Sequence, residues 1–368
     1  MSLLVATSGL APVQPDVTPA ARLISVTVQP RAEEDLAELC DRLAEQVQAA
    51  GATPVHLQVF GRCRVSGAVQ QKLRNMFGRL DWPVTWVEGA ACGSQAVAGL
   101  QMHAYTGAVE RIELGGRVVG SVFTDGGARQ CVVGGLMPAE TTLSRRAQTR
   151  RALEQLQAAL GKAGFALGDV VRTWFYLEDI LSWYDDFNPV RTQLYSGVKF
   201  RTGSLPASTG VGAKNPGGAA LAVAAWAFQP LAPDAYAEEV ASPLQCPAPA
   251  YGSSFSRAME ISTNGGRRLS ISGTASIAPG GKTMWVGDVR RQVALTMEVV
   301  EAILRSRRFG WGDLSRATAY FRRPADAPVF GEWLAAHGLT DLPVVPAHCD
   351  VCRDDLLFEL EAEALAGS

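Results

Sequence analysis

Glu359 lies near the C-terminal end of the sequence, in a segment whose apolar and acidic side chains alternate. Phe358, Leu360 and Ala362 would fall on one face of a strand, and Glu359 and Glu361 on the other, because side chains change face at every residue. A carboxyl group buried against apolar walls keeps its proton near neutral pH and can act as a general acid. The alternative interpretation is a solvated strand face that carries glutamates.

Cys352 comes shortly before this strand and is followed by Asp354-Asp355. If the Asp-Asp pair forms a two-residue hairpin turn, Cys352 lies opposite Leu357 and one diagonal step from Glu359. This register depends on the turn, since Asp-Asp is a weaker turn signal than Asn-Gly or Asp-Gly. A thiol and a carboxyl group would then line one side of a cleft, and the strand around Gly273 would form the other side.

The composition is that of a globular protein with two or three domains. The chain has 368 residues, of which 47% are hydrophobic and 19% charged, and its formal net charge is -2. This charge favours neither nucleic acid nor a membrane surface as a partner. The seven cysteines predict reduced thiols in a cytoplasmic protein. We expect no metal and no organic cofactor.

Residues 1–102 form a region of α/β character that begins with a loosely held arm over residues 1–18. The predicted elements after the arm alternate between strand and helix, at 23–28, 33–50, 54–60, 70–80 and 84–87. This region contains no motif for phosphate or metal binding.

The remaining sequence contains one order of elements twice. Asp169-Val-Val-Arg-Thr-Trp-Phe-Tyr in one half aligns with Asp313-Leu-Ser-Arg-Ala-Thr-Ala-Tyr in the other. We interpret this as an internal duplication of a domain-sized unit. The predicted first unit spans residues 103–230, a linker rich in proline spans 231–249, and the second unit spans 250–368. The first unit lacks a carboxylate in its closing strand, around Ala222.

Each repeat resembles the YjgF/RidA fold, a mixed sheet covered on one face by two helices and packed around a threefold axis. The resemblance is carried by three motifs in order: Gly287-Asp-Val-Arg-Arg-Gln, Asp313-Leu-Ser-Arg-Ala-Thr-Ala-Tyr and Leu356-Leu-Phe-Glu-Leu-Glu-Ala. It implies an α+β fold of two tandem YjgF/RidA-like domains behind the N-terminal α/β region. Members that hydrolyse imines carry an arginine after a proline-small pair, where this chain has Pro346-Ala347-His348. An enamine or imine deaminase is therefore an alternative function, but the arginine that such enzymes carry at this position is absent from this chain.

Residues 103–368 resemble more closely the chorismatase family, in which two such domains are fused. The shared motifs are Arg172-Thr-Trp-Phe-Tyr, Tyr184-Asp-Asp-Phe with Arg191, Pro206-Ala-Ser-Thr-Gly-Val-Gly-Ala, Ser272-Gly-Thr-Ala, Gly287-Asp-Val and Cys352-Arg-Asp-Asp-Leu-Leu-Phe-Glu-Leu-Glu. The resemblance implies cleavage of chorismate with release of pyruvate, with Glu359 at the position of the catalytic acid. Gly273 and Cys352 match the ring-lining pair of the subgroup that makes an aromatic product. This implies 3-hydroxybenzoate, with a mixture containing 4-hydroxybenzoate left open.

Chorismate is a dianion, so a nearly neutral protein needs local arginines to bind it. Our first candidate is Arg191 and the second is Arg172, although either could equally be a surface arginine. The other candidate substrate-binding residues offer hydroxyl or backbone N–H groups: Tyr176, Tyr184, Thr209, Gly210 and Gly212. Tyr176 is interpreted as a phenol donor, with Trp174 directed to the opposite face of their strand.

Two questions stay open at the level of sequence. The chain could form a homotrimer of six units, or a monomer whose N-terminal region covers the free sheet face. The third possibility for function, beside a chorismatase and a deaminase, is a small-molecule or protein-binding module without activity.

Overall fold

A computed structural model describes residues 21–92 and 95–367. The strands of this part of the chain form three sheets, and two helices pack on one face of each sheet. The predicted α+β class with tandem repeats is confirmed. The arm predicted over residues 1–18 lies outside the described residues.

The N-terminal unit is built from short alternating elements. They are β1 (Leu23–Val28), α1 (Leu36–Ala49), β2 (Thr53–Gly61), α2 (Ser66–Phe77), β3 (Val84–Val87), β4 (Ala90–Ala91) and β5 (Val97–Tyr105). Asp35 begins α1 as a capping box with Glu38, which satisfies backbone N–H groups at the start of the helix. The apolar face of α1 is buried against the sheet, as its alternation of leucines and charged residues predicts.

The first repeat follows without a break. Its elements are β6 (Glu110–Leu114), β7 (Arg117–Asp125), β8 (Ala128–Leu136), α3 (Arg145–Lys162), β9 (Val170–Leu177), α4 (Tyr184–Ser196), β10 (Ala207–Gly212) and β11 (Leu221–Pro230). The boundary predicted after residue 102 falls inside β5, which continues to Tyr105.

The second repeat has the same order of elements. They are β12 (Tyr236–Val240), β13 (Ala258–Thr263), β14 (Gly266–Ala275), α5 (Val289–Ser306), β15 (Leu314–Phe321), α6 (Ala327–Ala336), β16 (Val344–His348) and β17 (Phe358–Ala366). The segment predicted as a linker contains β12, which pairs with β13 at the edge of the sheet.

All three units share one sheet topology. The order β14-β17-β15-β16 of the second repeat is matched by β8-β11-β9-β10 in the first and by β1-β5-β2-β3 in the N-terminal unit. In each set the first two pairs are antiparallel and the last pair is parallel. The N-terminal region is therefore a third, shortened copy of the unit that is repeated twice after it.

The three sheets bury their helix-free faces against one another. Phe60 of the N-terminal unit packs against Tyr320 of the second repeat, and Gln58 donates a hydrogen bond of 2.8 Å to Tyr176 of the first. The N-terminal sheet thus covers the face that two tandem units alone would leave open. None of the helices in the described ranges is long and apolar enough to cross a membrane.

Candidate active site

A cleft of about 510 Å³ opens between the first and second repeats. Tyr184 at the start of α4 lines one wall, and Cys352 with Arg353 lines the other. Strand β10 lies next to Tyr184 and contributes no lining residue itself. A Cβ atom at Gly210 would lie 3.7 Å from the Tyr184 hydroxyl, and the adjacent Thr209 contacts the second repeat.

Glu359 does not line this cleft but lies on β17 between Ala275 of β14 and Tyr320 of β15, and its charge acts on Tyr184 and Cys352 of the cleft walls. Its side chain is buried, and burial raises its pKa to about 8, with the charge of Glu361 adding to the rise and Arg172 opposing it. Glu359 therefore holds a proton at neutral pH. No described residue donates a hydrogen bond to its carboxyl group.

Gly273 leaves the space that the Glu359 carboxyl group occupies. The pairing of β14 with β17 is irregular between Ile271 and Thr274, which turns Gly273 toward β10 of the first repeat. Its N–H donates a hydrogen bond of 3.0 Å to the Thr209 hydroxyl oxygen. Two residues predicted for the site are thus joined directly across the two repeats.

Arg191 is a buried cation without a carboxylate partner among the described residues. Only 1% of the residue is exposed, and its guanidinium group lies over the rings of Phe175 and Phe187, 5.7 Å and 5.3 Å from their centroids. Its Nη2 donates to Asn188, which lines the cleft, and its Nε has no partner in the described structure. A buried guanidinium group left unpaired in this way favours an anionic ligand.

Arg172 occupies a different environment from Arg191. Its Nη2 donates to Glu361 at 2.8 Å and to the Thr209 hydroxyl oxygen at 2.6 Å, inside the junction of the three sheets. Glu361 also accepts a hydrogen bond from Arg316. Arg172 is therefore held in an internal ion pair that Arg191 lacks, while its Nε and Nη1 also have no partner in the described structure.

The structure brings some of the remaining predicted residues to the cleft and not others. Tyr184 lines it, and burial raises the pKa of the phenol, so that it remains a hydrogen-bond donor. Tyr176 points into the junction of the sheets together with Trp174, which donates to Glu361. The prediction that Trp174 and Tyr176 face opposite sides was wrong, because residues two apart on a strand share a face.

Gly212 serves the contact between the repeats. Its N–H donates a hydrogen bond of 2.7 Å to the Asp350 carbonyl oxygen, and a Cβ at this position would lie 2.6 Å from the Asp350 Cβ. Its backbone donor is therefore occupied, and the residue anchors the loop that carries Cys352.

Cys352 lies on a loop, and the predicted hairpin was wrong. Strands β16 and β17 do not pair, because β15 lies between them, parallel to β16 and antiparallel to β17. The connecting segment crosses over the end of β15 and brings Cys352 to the cleft by another route. Burial, with the charge of Glu359, raises the pKa of the Cys352 thiol to about 12, so it stays protonated.

Most residues that line the cleft were not predicted as site residues, and Tyr251 and Arg353 are the largest of them. The Arg353 guanidinium group lies 5.5 Å from the Tyr251 ring centroid and donates to the Gly281 carbonyl oxygen. Arg353 stands inside the shared motif that begins at Cys352, so its position was available as a signal. Tyr251 had no such signal, since it lies just after the predicted linker. Across the described ranges, no cluster of three or more His, Cys, Asp or Glu side chains is arranged to hold a metal.

Comparison with known proteins agrees with this architecture. A family model described as endoribonuclease L-PSP matches residues 128–227, within the first repeat. A 3-hydroxybenzoate synthase from Streptomyces hygroscopicus is 27% identical over 224 residues, which cover 54% of this chain and 64% of that protein. A chorismatase from the same organism is 27% identical over 215 residues, covering 52% and 60%. The matched segments thus span less than two thirds of these relatives.

A solved chorismatase structure covers 94% of this chain and 99% of its own, with a TM-score of 0.64 and 20% sequence identity. This likeness concerns the fold. The repeated sheet-and-helix unit is thus the YjgF/RidA-like fold, used in tandem. The chain is thus similar to chorismatases in sequence over about half of its length and in fold over most of it.

Proposed function

We propose that this protein cleaves chorismate to pyruvate and 3-hydroxybenzoate. The observation that supports it most is the pairing, around one cleft, of a buried protonated carboxyl group with a buried unpaired guanidinium group. Glu359 supplies the first and Arg191 the second. The charges of both residues act on the Tyr184 phenol, which lines the cleft, and this supports a shared role for the three side chains.

The chemistry of chorismate requires a general acid. Cleavage of its enolpyruvyl ether begins when a proton is delivered to the methylene carbon, which leaves an oxocarbenium ion. The O–H bond of Glu359 breaks as the new C–H bond forms, and the resulting carboxylate stabilises the cation. The ring C–O bond then breaks and its electron pair stays on the ether oxygen, which becomes the keto oxygen of pyruvate. The adjacent ring hydroxyl attacks the carbon left behind, and as the ring aromatises one ring proton passes to the carboxylate, which restores the acid.

Arg191 fits one substrate carboxylate because it lies in an apolar environment and has unused donor capacity. Arg353, at the other wall of the cleft, is placed to meet the second carboxylate. Both residues are outside the internal ion-pair network, so neither has to give up a protein carboxylate to bind the substrate.

The aromatic outcome requires that water be kept from the cation. Chorismate contains the atoms of pyruvate and hydroxybenzoate with none left over, whereas a dihydroxylated cyclohexadiene requires one added water molecule. Cys352 packs against Ala275, Ile277, Val351 and Leu356 beside the cleft. A protonated thiol there fills space that a water molecule would need, which supports the aromatic product.

The test is an assay of the purified protein with chorismate, in which pyruvate and the aromatic products are resolved by chromatography. Glu359→Gln should lower turnover by about 10²–10⁴-fold, the usual contribution of a general acid, while the binding measured by calorimetry is retained. Glu45→Gln, on the exposed side of α1, is the control for loss of a surface carboxylate. If chorismate is untouched while an imino acid is hydrolysed in the parallel assay, the deaminase interpretation replaces this proposal.

A further inference from the structure

Thr209 is held in a specific orientation at the junction of the two repeats. Its hydroxyl oxygen accepts one hydrogen bond from Arg172 Nη2 at 2.6 Å and another from the Gly273 N–H at 3.0 Å. A threonine hydroxyl has two acceptor sites and one donor. Both acceptor sites are used here, so its O–H is directed away from Arg172 and Gly273. No described residue accepts a hydrogen bond from it.

Glu359 and Thr209 flank the same glycine. A Cβ at Gly273 would lie 2.0 Å from the Glu359 Oε1 and 3.3 Å from the Thr209 methyl carbon. The Thr209 side chain and the Glu359 carboxyl group therefore both lie against Gly273, and no hydrogen bond joins them while the acid is protonated in this structure.

The chain contains a second junction with the same construction, between the N-terminal unit and the first repeat. Thr85 corresponds to Thr209 by strand register, since it lies opposite Gln58 as Thr209 lies opposite Trp174. The Thr85 hydroxyl oxygen accepts from the Gly135 N–H at 2.9 Å and lies 2.8 Å from the His56 Nε2. Each threonine hydroxyl thus accepts from a backbone N–H of the next unit and lies within hydrogen-bond distance of a side-chain nitrogen on the neighbouring strand.

The two junctions differ in their charges. Glu359 lies opposite Tyr320, and the corresponding residue of the first repeat is Ala222, opposite Tyr176. The junction of Thr85 therefore has no acid at that position. It also has His56 where the other has Arg172, and burial lowers the pKa of this imidazole well below its usual value, so it is neutral. The third junction has Gly99 and Val345 at the positions of the acid and the threonine.

We infer that Thr209 donates a hydrogen bond to the Glu359 carboxylate that forms on proton transfer, and that Arg172 is a positioning residue that orients and polarises the Thr209 hydroxyl. Arg172 then acts on the acid through Thr209 and makes no contact with the substrate. This inference rests on the proposed function for its role in turnover, but the interaction itself can be measured without substrate.

The charged and titratable groups around Glu359 come from several elements. Glu361 raises its pKa and Arg172 lowers it, and this pull from Arg172 agrees with the inferred arrangement. The other groups that sense the charge of Glu359 are Tyr184, Cys349 and Cys352. Burial raises the pKa of each of these three groups, so they stay neutral and leave Glu361 and Arg172 as the two charges that act on the acid.

The test compares Thr209→Val, Thr209→Ser and Thr85→Val. Thr209→Val removes the donor, so the pKa of Glu359 should rise by roughly one to two units, as for loss of a hydrogen bond to a charged group. Thr209→Ser keeps the hydroxyl and should stay near the wild-type value. Thr85→Val removes the two hydrogen bonds of the corresponding threonine at the junction without an acid, and it measures the structural cost alone.

Two readouts separate this inference from the proposed function. The first is titration of the Glu359 carboxyl carbon by ¹³C NMR, assigned by comparison with Glu359→Gln, which needs no substrate. The second is the pH profile of kcat with chorismate. An unchanged titration in Thr209→Val, or an equal change in Thr85→Val, would overturn the inference. So would a rise in KM with no change in either pH profile, because Thr209 would then donate to the substrate.

Discussion

The Gly273 backbone and the Glu359 carboxyl group approach so closely that a Cβ at residue 273 would lie 2.0 Å from Oε1 and 2.9 Å from Cδ. Glycine is thus required by the position of the acid in this structure. Alanine would push the end of a flexible side chain aside, at little steric cost to the fold. The Glu359 carboxyl group, however, would be displaced from its present position.

Gly273→Ala should therefore lower kcat by at least tenfold with little change in thermal stability, since a 1 Å misplacement of a catalytic group can cost 10²-fold. The measurement is kcat with chorismate alongside a melting curve. A variant with normal kcat would show that the acid works from another rotamer.

The activity should depend on pH through Glu359. The protonated form is the active one, so kcat should fall as pH rises through about 8. The free energy of unfolding also depends on the protonation of Glu359. The unfolded chain releases this proton near the ordinary pKa of 4.5, and the folded chain releases it near pH 8. Between these values the unfolded state binds fewer protons, so the free energy of unfolding decreases as pH rises.

Glu359→Gln removes this titration. The free energy of unfolding of the variant, measured by denaturant titration across that window, should fall less steeply with pH than that of the wild type. Parallel curves for the two proteins would contradict the raised pKa.

Replacing the two buried arginines should have opposite consequences. Arg191→Met removes an unpaired buried cation, so KM should rise by at least tenfold while the free energy of unfolding is unchanged or higher. Arg172→Met breaks a buried ion pair with Glu361 and should destabilise the fold by about 3–5 kcal/mol. Kinetics and denaturant unfolding of both variants test the contrast. A large loss of stability in Arg191→Met would show that the cation has a structural partner.

Cys352→Ala should shift the products toward the dihydroxylated cyclohexadiene, because the smaller side chain admits water beside the cation. The ratio is measured by chromatography. Cys63→Ala, a half-buried cysteine of the N-terminal unit, is the matched control. An unchanged product ratio in Cys352→Ala would show that the thiol does not determine which product forms. The single variant is preferable to a double change with Gly273→Ala, which also displaces Glu359.

The three sheets bury their helix-free faces against one another within one chain, so we expect a monomer in solution. The N-terminal sheet occupies the third position, and His103 bonds Glu363 of the second repeat at 2.9 Å across that interface. Sedimentation velocity should give the mass of one chain. A trimer would mean that other surfaces, such as the strand edges, drive association.

Sequence patterns predicted most elements of both repeats, because long amphipathic helices and alternating strands have strong local signals. The motifs also predicted the tandem fold and the likeness to chorismatases, and they assigned Glu359 to the last strand. The third copy of the unit was missed, since β5 was not recognised as a strand and the N-terminal region lacks the motifs of the repeats. Strand β12 was also missed, because the prolines and small residues of segment 231–249 predicted a linker and its short β pattern was a weaker signal.

What the sequence determined by itself was the local structure, the duplication and the presence of a carboxyl group with apolar neighbours at Glu359. Only the tertiary structure decided which arginine is free. Arg172 and Arg191 have the same chemistry, and their roles differ because Glu361 meets Arg172, whereas no described carboxylate meets Arg191. Such pairings join residues far apart in the chain, so they depend on how the three sheets pack together and leave no periodic signal in the sequence.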